Sequence, residues 1–281
     1  MYKKRCVLNK NRLQTVGVFF SAVFCLCSQA TAASFDIKPI RIFLDEKVRL
    51  EKLIIKNVSD TKFPIQIKAY EWSQNQKGED VYSETRDIIT FPKILSIDKG
   101  QEKIIRIGTN VRPAKIEKTY RIYVEEMPVP DKDNSGTKIR LFMKVGIPVF
   151  INPVKIDNRP EIEDMEVVNG KLKVTVINKG NTHFVVTGVA VRGANDEGKE
   201  LFARDIGGWY LLSGTQKIYE TDIPPEACGA ISNLRVVLKT SKATVEKNII
   251  MAKDMCRLVD DIARGQNHLH LCRQVEMSYG Y

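Results

Sequence analysis

Residues 138–151 read KIRLFMKVGIPVFI. Ile139, Leu141, Met143, Val145 and Ile147 share one parity, and Arg140 and Lys144 share the other. A period of two with one apolar and one charged face predicts a β-strand lying half on a core. The strand follows a polar loop, PVPDKDNSGT at 128–137, which leaves its beginning without a cover. An apolar row on an uncovered strand edge invites pairing with another chain. A half-buried strand of an ordinary sandwich carries the same alternation, so the rest of the chain decides between the two.

Upstream, short alternating runs are separated by polar turns. Phe35 and Ile37 share one parity, and Ile40, Ile42 and Leu44 share the other, with Pro39 at the switch. Proline cannot donate to a ladder, so the first strand is expected to change direction or sheet there. Leu53 and Ile55, then Phe63, Ile65 and Ile67, then Ile105 and Ile107 around Arg106, then Tyr120, Ile122 and Val124 continue the pattern. About seven strands in about 120 residues, with little helical periodicity, predict a β-sandwich. Pro153 and VKIDNRPEIED at 154–164 mark a boundary. The strand series that follows predicts a second, smaller sandwich over about 154–256. The last stretch, 257–281, fits neither domain.

The beginning of the chain reads as an address. Residues 1–12 carry five basic residues and no acidic one, TVGVFFSAVFCLCS is apolar but short for a bilayer span, and Ala30-Thr31-Ala32 is a small-residue cleavage pattern. A signal peptide over 1–32 is expected, cut after Ala32 or Ala33. Phe24 and Leu26, not small residues, precede Cys25 and Cys27, which argues against lipid anchoring. No later stretch is apolar enough to cross a membrane, so the expected product is exported and not membrane-embedded.

Removing the leader takes the net charge from +10 to +5. That mild, mixed balance lacks the basic clusters and the module of a nucleic-acid binder. No nucleotide loop, zinc-enzyme motif or nucleophile elbow occurs, so no enzyme activity and no cofactor are expected. His268, His270 and Cys272 share one parity in the tail, a weak metal pattern from which no metal site is expected. Cys228, Cys256 and Cys272 remain after cleavage, and export permits disulfides. Cys228 and Cys256, both at the ends of predicted strands, are the expected pair, with Cys272 as a competitor.

Several pieces then converge: FDIKPIRIFL, NVSDTKFPIQIKAYEW, DIITFPKILSIDKGQEKIIRI, TYRIYVEEMP, and a long strand ending GIPVFINP. In order and spacing they resemble the PapD-type periplasmic chaperones of fimbrial assembly. The resemblance covers nearly all of 34–153, is weaker over 154–252 and does not reach the tail. It implies an all-β fold of two immunoglobulin-like β-sandwich domains in tandem, in an L-shaped arrangement, over 33–153 and 154–256. It also implies a function: to bind and cap pilus or fimbrial subunits by donor-strand complementation, and to deliver them to an outer-membrane usher. The implied place is the periplasm. A subunit of this kind is a sandwich lacking its last strand, and the chaperone lends one.

The resemblance assigns the lent row to Ile139, Leu141 and Met143, with Val145 as a further candidate. It assigns one anchor of the subunit's C-terminal carboxylate to Arg41, through a charge-assisted hydrogen bond. The family's second anchor, a lysine late on the long strand, falls on Pro148, and GIPVF resembles the family's archaic-type branch. Lys144, Arg106 or Arg140 then remain as sources of the second charge. Glu126 resembles the family's interdomain acidic residue, but the arginine it would pair with falls on Asn152. A structural pilus subunit or adhesin of two sandwiches is the alternative. Such a subunit carries an N-terminal extension of alternating apolar residues, whereas here a strand begins at Phe35, close behind the expected cleavage site.

Overall fold

The computed structural model describes residues 35–128 and 141–256. The expected signal segment, Ile139, Arg140 and the tail with His268, His270 and Cys272 lie outside the described residues. The first half holds β1 (Phe35–Lys38), β2 (Ile42–Leu44), β3 (Leu50–Asn57), β4 (Phe63–Gln74) and β5 (Asp80–Glu84). It continues with β6 (Ile88–Phe91), β7 (Ile94–Ile97), β8 (Glu102–Thr109), β9 (Lys118–Glu126) and β10 (Lys144–Ile151). One sheet has the order β1-β3-β8-β6; the other has β2-β10-β9-β4-β5, with β7 also on β4. The chain therefore crosses from one sheet to the other between β1 and β2, around Pro39. Every second residue points inward, and Leu53, Ile55, Ile65, Ile105, Ile107, Ile122 and Val149 form a closed core.

The second half holds β11 (Pro160–Val168), β12 (Lys171–Asn178), β13 (Phe184–Ala194) and β14 (Glu200–Ile206). After these come β15 (Tyr210–Leu211), β16 (Gln216–Asp222), β17 (Asn233–Thr240) and β18 (Thr244–Ile250). A three-stranded sheet, β11-β12-β16, faces a sheet ordered β14-β13-β17-β18 with β15 on β13. Its core is separate, built on Leu172, Val174, Val176, Val189, Val191, Leu234 and Val236. A disulfide joins Cys228 to Cys256 across 28 residues of chain. By the loop-entropy account such a closure stabilises by about 3–4 kcal/mol, and here it ties the last described turn to the core.

The two halves share a local device. Asn57 and Asn178 are fully buried. The Asn57 Nδ2 donates to the carbonyls of Thr61 and Ile97, and the Asn178 Nδ2 to those of Thr182 and Leu211. Their Oδ1 atoms accept from the backbone N–H of Ser59 and of Gly180. Each amide thus satisfies carbonyls that a turn would otherwise leave buried and unpaired.

Candidate functional site

β10 is paired along its full length on one side only. β9 runs antiparallel to it from Lys144↔Glu125 to Ile151↔Lys118. On the other side β2 pairs in parallel with Val149, Phe150 and Ile151 alone. Among the described residues no strand lies beside 144–148 on that edge. The Met143 carbonyl accepts from the Glu126 N–H at 2.9 Å, which sets the phase of the ladder. Residues 145 and 147 then exchange hydrogen bonds with β9, while the backbone groups of Lys144, Gly146 and Pro148 point outward. Proline at an outward position lacks only an N–H that β9 never needed, so the sheet tolerates it.

The apolar row divides along its length. Ile147, Val149 and Ile151 are buried in the first core, and Met143 and Val145 pack half-buried at its rim. Leu141 is 90% exposed. A strand added to the outer edge has its path ended by β2, which occupies the same edge from residue 149 onward. A parallel addition therefore brings the newcomer's C-terminal end to the start of β2, where Arg41 stands.

Three residues form one row there. Pro148 lies opposite Arg121 on β9, and Arg41 precedes the Ile42 that pairs with Val149. Their strand neighbours Ile42, Val149, Tyr120 and Ile122 face the core, so Arg41, Pro148 and Arg121 share the opposite face. At about 4.8 Å between strands, the two arginine backbones flank Pro148 about 10 Å apart. The compact proline ring leaves the space between them low.

Arg121 is 8% exposed. Its guanidinium carbon lies 4.2 Å from the centroid of Trp72 and 5.7 Å from those of Tyr82 and Trp209. Cation–π attraction to Trp72 offsets part of its desolvation. Its Nε has no hydrogen-bond partner, and among the described residues no carboxylate pairs with it. A buried donor left open costs about 1–3 kcal/mol, which an arriving anion recovers. Arg41 is exposed, and its Nε donates to the Tyr210 hydroxyl at 2.7 Å.

The far wall of this cleft comes from the second half. Trp72 and Phe150 pack with Tyr210 and Leu212 in a cluster between the two cores. Gln74 clamps the junction: its Oε1 accepts from the Leu212 N–H and the Thr215 hydroxyl at 3.0 Å, and its Nε2 donates to the Tyr210 carbonyl at 2.9 Å. The Asp80 carboxylate accepts from the Gln74 amide, the Tyr82 hydroxyl and the Trp209 indole. Partial burial alone would raise its pKa, but these donors outweigh burial and hold it lowered. Burial, the largest cause, raises the Tyr82 hydroxyl well above its ordinary value, so it stays a donor. Glu117, just before β9, accepts from the His183 N–H at 2.8 Å and contacts its Nδ1 at 2.7 Å. The His183 ring stacks on Phe150 at 3.7 Å. These bonds fix the cleft's two walls against each other.

An open strand edge that runs into a cationic interdomain cleft is a receptor for a strand end. The family described as pili and flagellar-assembly chaperone, PapD N-terminal domain, matches residues 34–157. Residues 34–157 thus carry the PapD-type chaperone domain of pilus assembly. No curated protein is significantly similar to it in sequence. In fold the chaperone is similar to a chain of the CsuC–CsuE chaperone–tip adhesion subunit pre-assembly complex from the archaic Csu pili of Acinetobacter baumannii. That match has 19% identity and a TM-score of 0.52, over 78% of this chain and 100% of that one. The YadV chaperone matches at 13% identity with a TM-score of 0.52, again over 78% and 100% of the two chains. The class 5 fimbriae chaperone CfaA matches at 15% identity with a TM-score of 0.50, over 78% and 100%. At these identities the likeness speaks for the fold alone.

Of the described basic residues expected to anchor a carboxylate, Arg41 lies at the cleft, and Lys144 and Arg106 do not. Lys144 sits at the start of β10, four residues and about 13 Å along the strand from Pro148. It pairs with Glu125 at 2.8 Å over the ring of Tyr123. Glu125, shared with Lys68 at 3.1 Å, is lowered chiefly by its bond to Lys144, and Lys144 is raised chiefly by the same bond. Arg106 faces outward from β8 between Lys52 and Phe91, on the opposite sheet, away from Arg41. Glu126 ends β9, about 27 Å from its start, whereas Glu117, just before that start, reaches His183 of the second half. Arg121 was missed because TYRIY shows it only as a solvent-side residue of an amphipathic strand. The available signal lay across the ladder, in the proline that stands opposite it. Among the described residues no group of three His, Cys, Asp or Glu is placed to hold a metal, and no helix is long and apolar enough to cross a membrane.

Proposed function

We propose that the chaperone caps pilus subunits by adding the free edge of β10 to an incomplete subunit sandwich, and that Arg41 and Arg121 hold the subunit's terminal carboxylate. The observation that carries this is the row Arg41–Pro148–Arg121 at the end of an edge otherwise unpaired among the described residues. The partner strand runs parallel to β10, which delivers its carboxylate between two guanidinium groups that pair with no carboxylate among the described residues. Lys144 and Gly146 offer backbone donors and acceptors for the ladder. Leu141 enters the subunit groove fully, joined by Ile139, while Met143 and Val145 contribute the surface their own core leaves exposed. A fully buried side chain of this kind contributes about 1.5–3 kcal/mol, and association and ordering remove a large part of the sum.

In this reading the chaperone is exported to the periplasm by its leader and needs no cofactor or catalytic step. It keeps subunits from aggregating, and it hands them to an outer-membrane usher by exchange with the next subunit's own extension. Co-production with exported candidate subunits tests the proposal. The expected result is a one-to-one complex, with the subunit soluble and identified by mass spectrometry. Subunits that stay aggregated while the chaperone elutes alone would refute it.

A further inference from the structure

Beside the two arginines stands an aromatic surface that the anchoring reading does not use. Trp209 is 46% exposed, yet it is held at three points. Its carbonyl accepts from the Val186 N–H at 2.9 Å, and its indole Nε1 donates to Asp80 of the other domain at 3.1 Å. Its ring meets the edge of Tyr210 at 5.3 Å between centroids. Gly208 makes this placement possible, because a Cβ there would collide with the Val186 carbonyl oxygen. Tyr210 in turn holds Arg41, and the Trp209 ring lies 5.7 Å from the Arg121 guanidinium carbon. The ring therefore lies beside the Arg121 guanidinium and, through Tyr210, next to the residue that holds Arg41. An aromatic surface already fixed in place loses little entropy when something stacks on it.

We infer that Trp209 reads the last side chain of the bound strand, and that the cleft takes subunits ending in an aromatic or large apolar residue. The inference rests on the carboxylate reading above and extends it from the terminus to the residue that bears it. With the carboxylate between the arginines, the side chain of the same residue reaches the cleft wall that Trp209 forms. A ring or branched chain there covers the exposed indole. An acidic side chain meets the ionised Asp80 behind the indole and is repelled, and a basic one meets Arg41 and Arg121. Selection among otherwise equal partners then follows from one contact that favours apolar ends and from charges that disfavour the others.

Dye-labelled twelve-residue peptides of alternating valine and threonine, ending in Phe, Ser or Asp, test this by fluorescence anisotropy against the full chain. The Phe peptide is also made as its amide. The expected result is a preference for the Phe over the Ser peptide of roughly fivefold, of the size aromatic stacking supplies, with the Asp peptide weaker than both. Trp209→Ala is expected to cut that ratio below about twofold, and Trp209→Phe to retain most of it. In both variants the preference for free acid over amide is expected to persist. A Phe-to-Ser ratio unchanged in Trp209→Ala, or absent in the native protein while the free acid is still preferred, overturns the inference and leaves the carboxylate reading in place. Equal binding of acid and amide, or no binding of any peptide, overturns both.

Discussion

Replacing Leu141 with aspartate is expected to abolish subunit capture while leaving the chaperone folded. Leu141 is 90% exposed and takes no part in the first core. A charge placed there stays in water in the free protein, and unfolding free energy is expected to change by less than about 0.5 kcal/mol. In the complex the same position enters an apolar groove. The substitution forfeits about 1.5–3 kcal/mol of leucine burial and adds the cost of an unpaired carboxylate or of its protonation. The combined loss of roughly 4 kcal/mol or more corresponds to about a thousandfold in affinity. Co-purification and thermal unfolding on the same preparation check both halves. A variant that still brings down a subunit removes Leu141 from the lent strand. Val145 offers a contrast, because it packs at the rim of the chaperone's own core. Val145→Asp is expected to destabilise the free protein as well.

Arg121→Gln is the second large expected effect. The native guanidinium is buried, stacked on Trp72 and lacks an ion-pair partner among the described residues. Removing an unpaired buried charge is expected to leave folding stability within about 1 kcal/mol, since lost cation–π attraction and relieved desolvation oppose each other. Capture is expected to weaken by about 2–3 kcal/mol, roughly 30- to 150-fold, because the carboxylate loses a hydrogen-bonded cation in a water-poor site. Arg41→Ala is expected to cost less, about tenfold, because its exposed guanidinium is screened by solvent. A subunit extended by one residue separates anchoring from general weakening. The native protein is expected to reject it, and Arg121→Gln to bind it about as well as the unextended subunit. An Arg121→Gln variant with native affinity would show that the cation serves packing instead.

Local alternation was enough to read the strands and the two sandwiches, because side chains on a sheet repeat every two residues whatever the sheet packs against. It also marked the crossover at Pro39, since that depends on residues near in sequence, whereas Arg41 was singled out by the family resemblance and not by alternation. What alternation hides is the order of strands. Arg121 acquires its role only when β9 lies beside β10 in a register that sets it against Pro148. In sequence Lys144 is near that proline and Arg121 is 27 residues away, so proximity along the chain drew attention to Lys144 and not to Arg121. Trp209, Gln74 and the Glu117–His183 contact are likewise invisible from their own segments, because each bridges two domains that fold on separate cores. Arg106 shows the same limit: its outward parity is the same on either sheet, and only topology shows that β8 belongs to the far one.

Backbone amide exchange tests the central claim most directly, because it reports on the edge itself. In the free chaperone the N–H groups of Lys144 and Gly146 face outward, while those of Val145 and Ile147 bond to β9. The expected result is fast exchange at 144 and 146 and slow exchange at 145 and 147 in the free protein. On subunit binding, 144 and 146 are expected to slow by at least about a hundredfold, as a new ladder closes over them. Slow exchange at Lys144 and Gly146 before any subunit is present, or no change when one binds, would contradict an edge held open for a foreign strand.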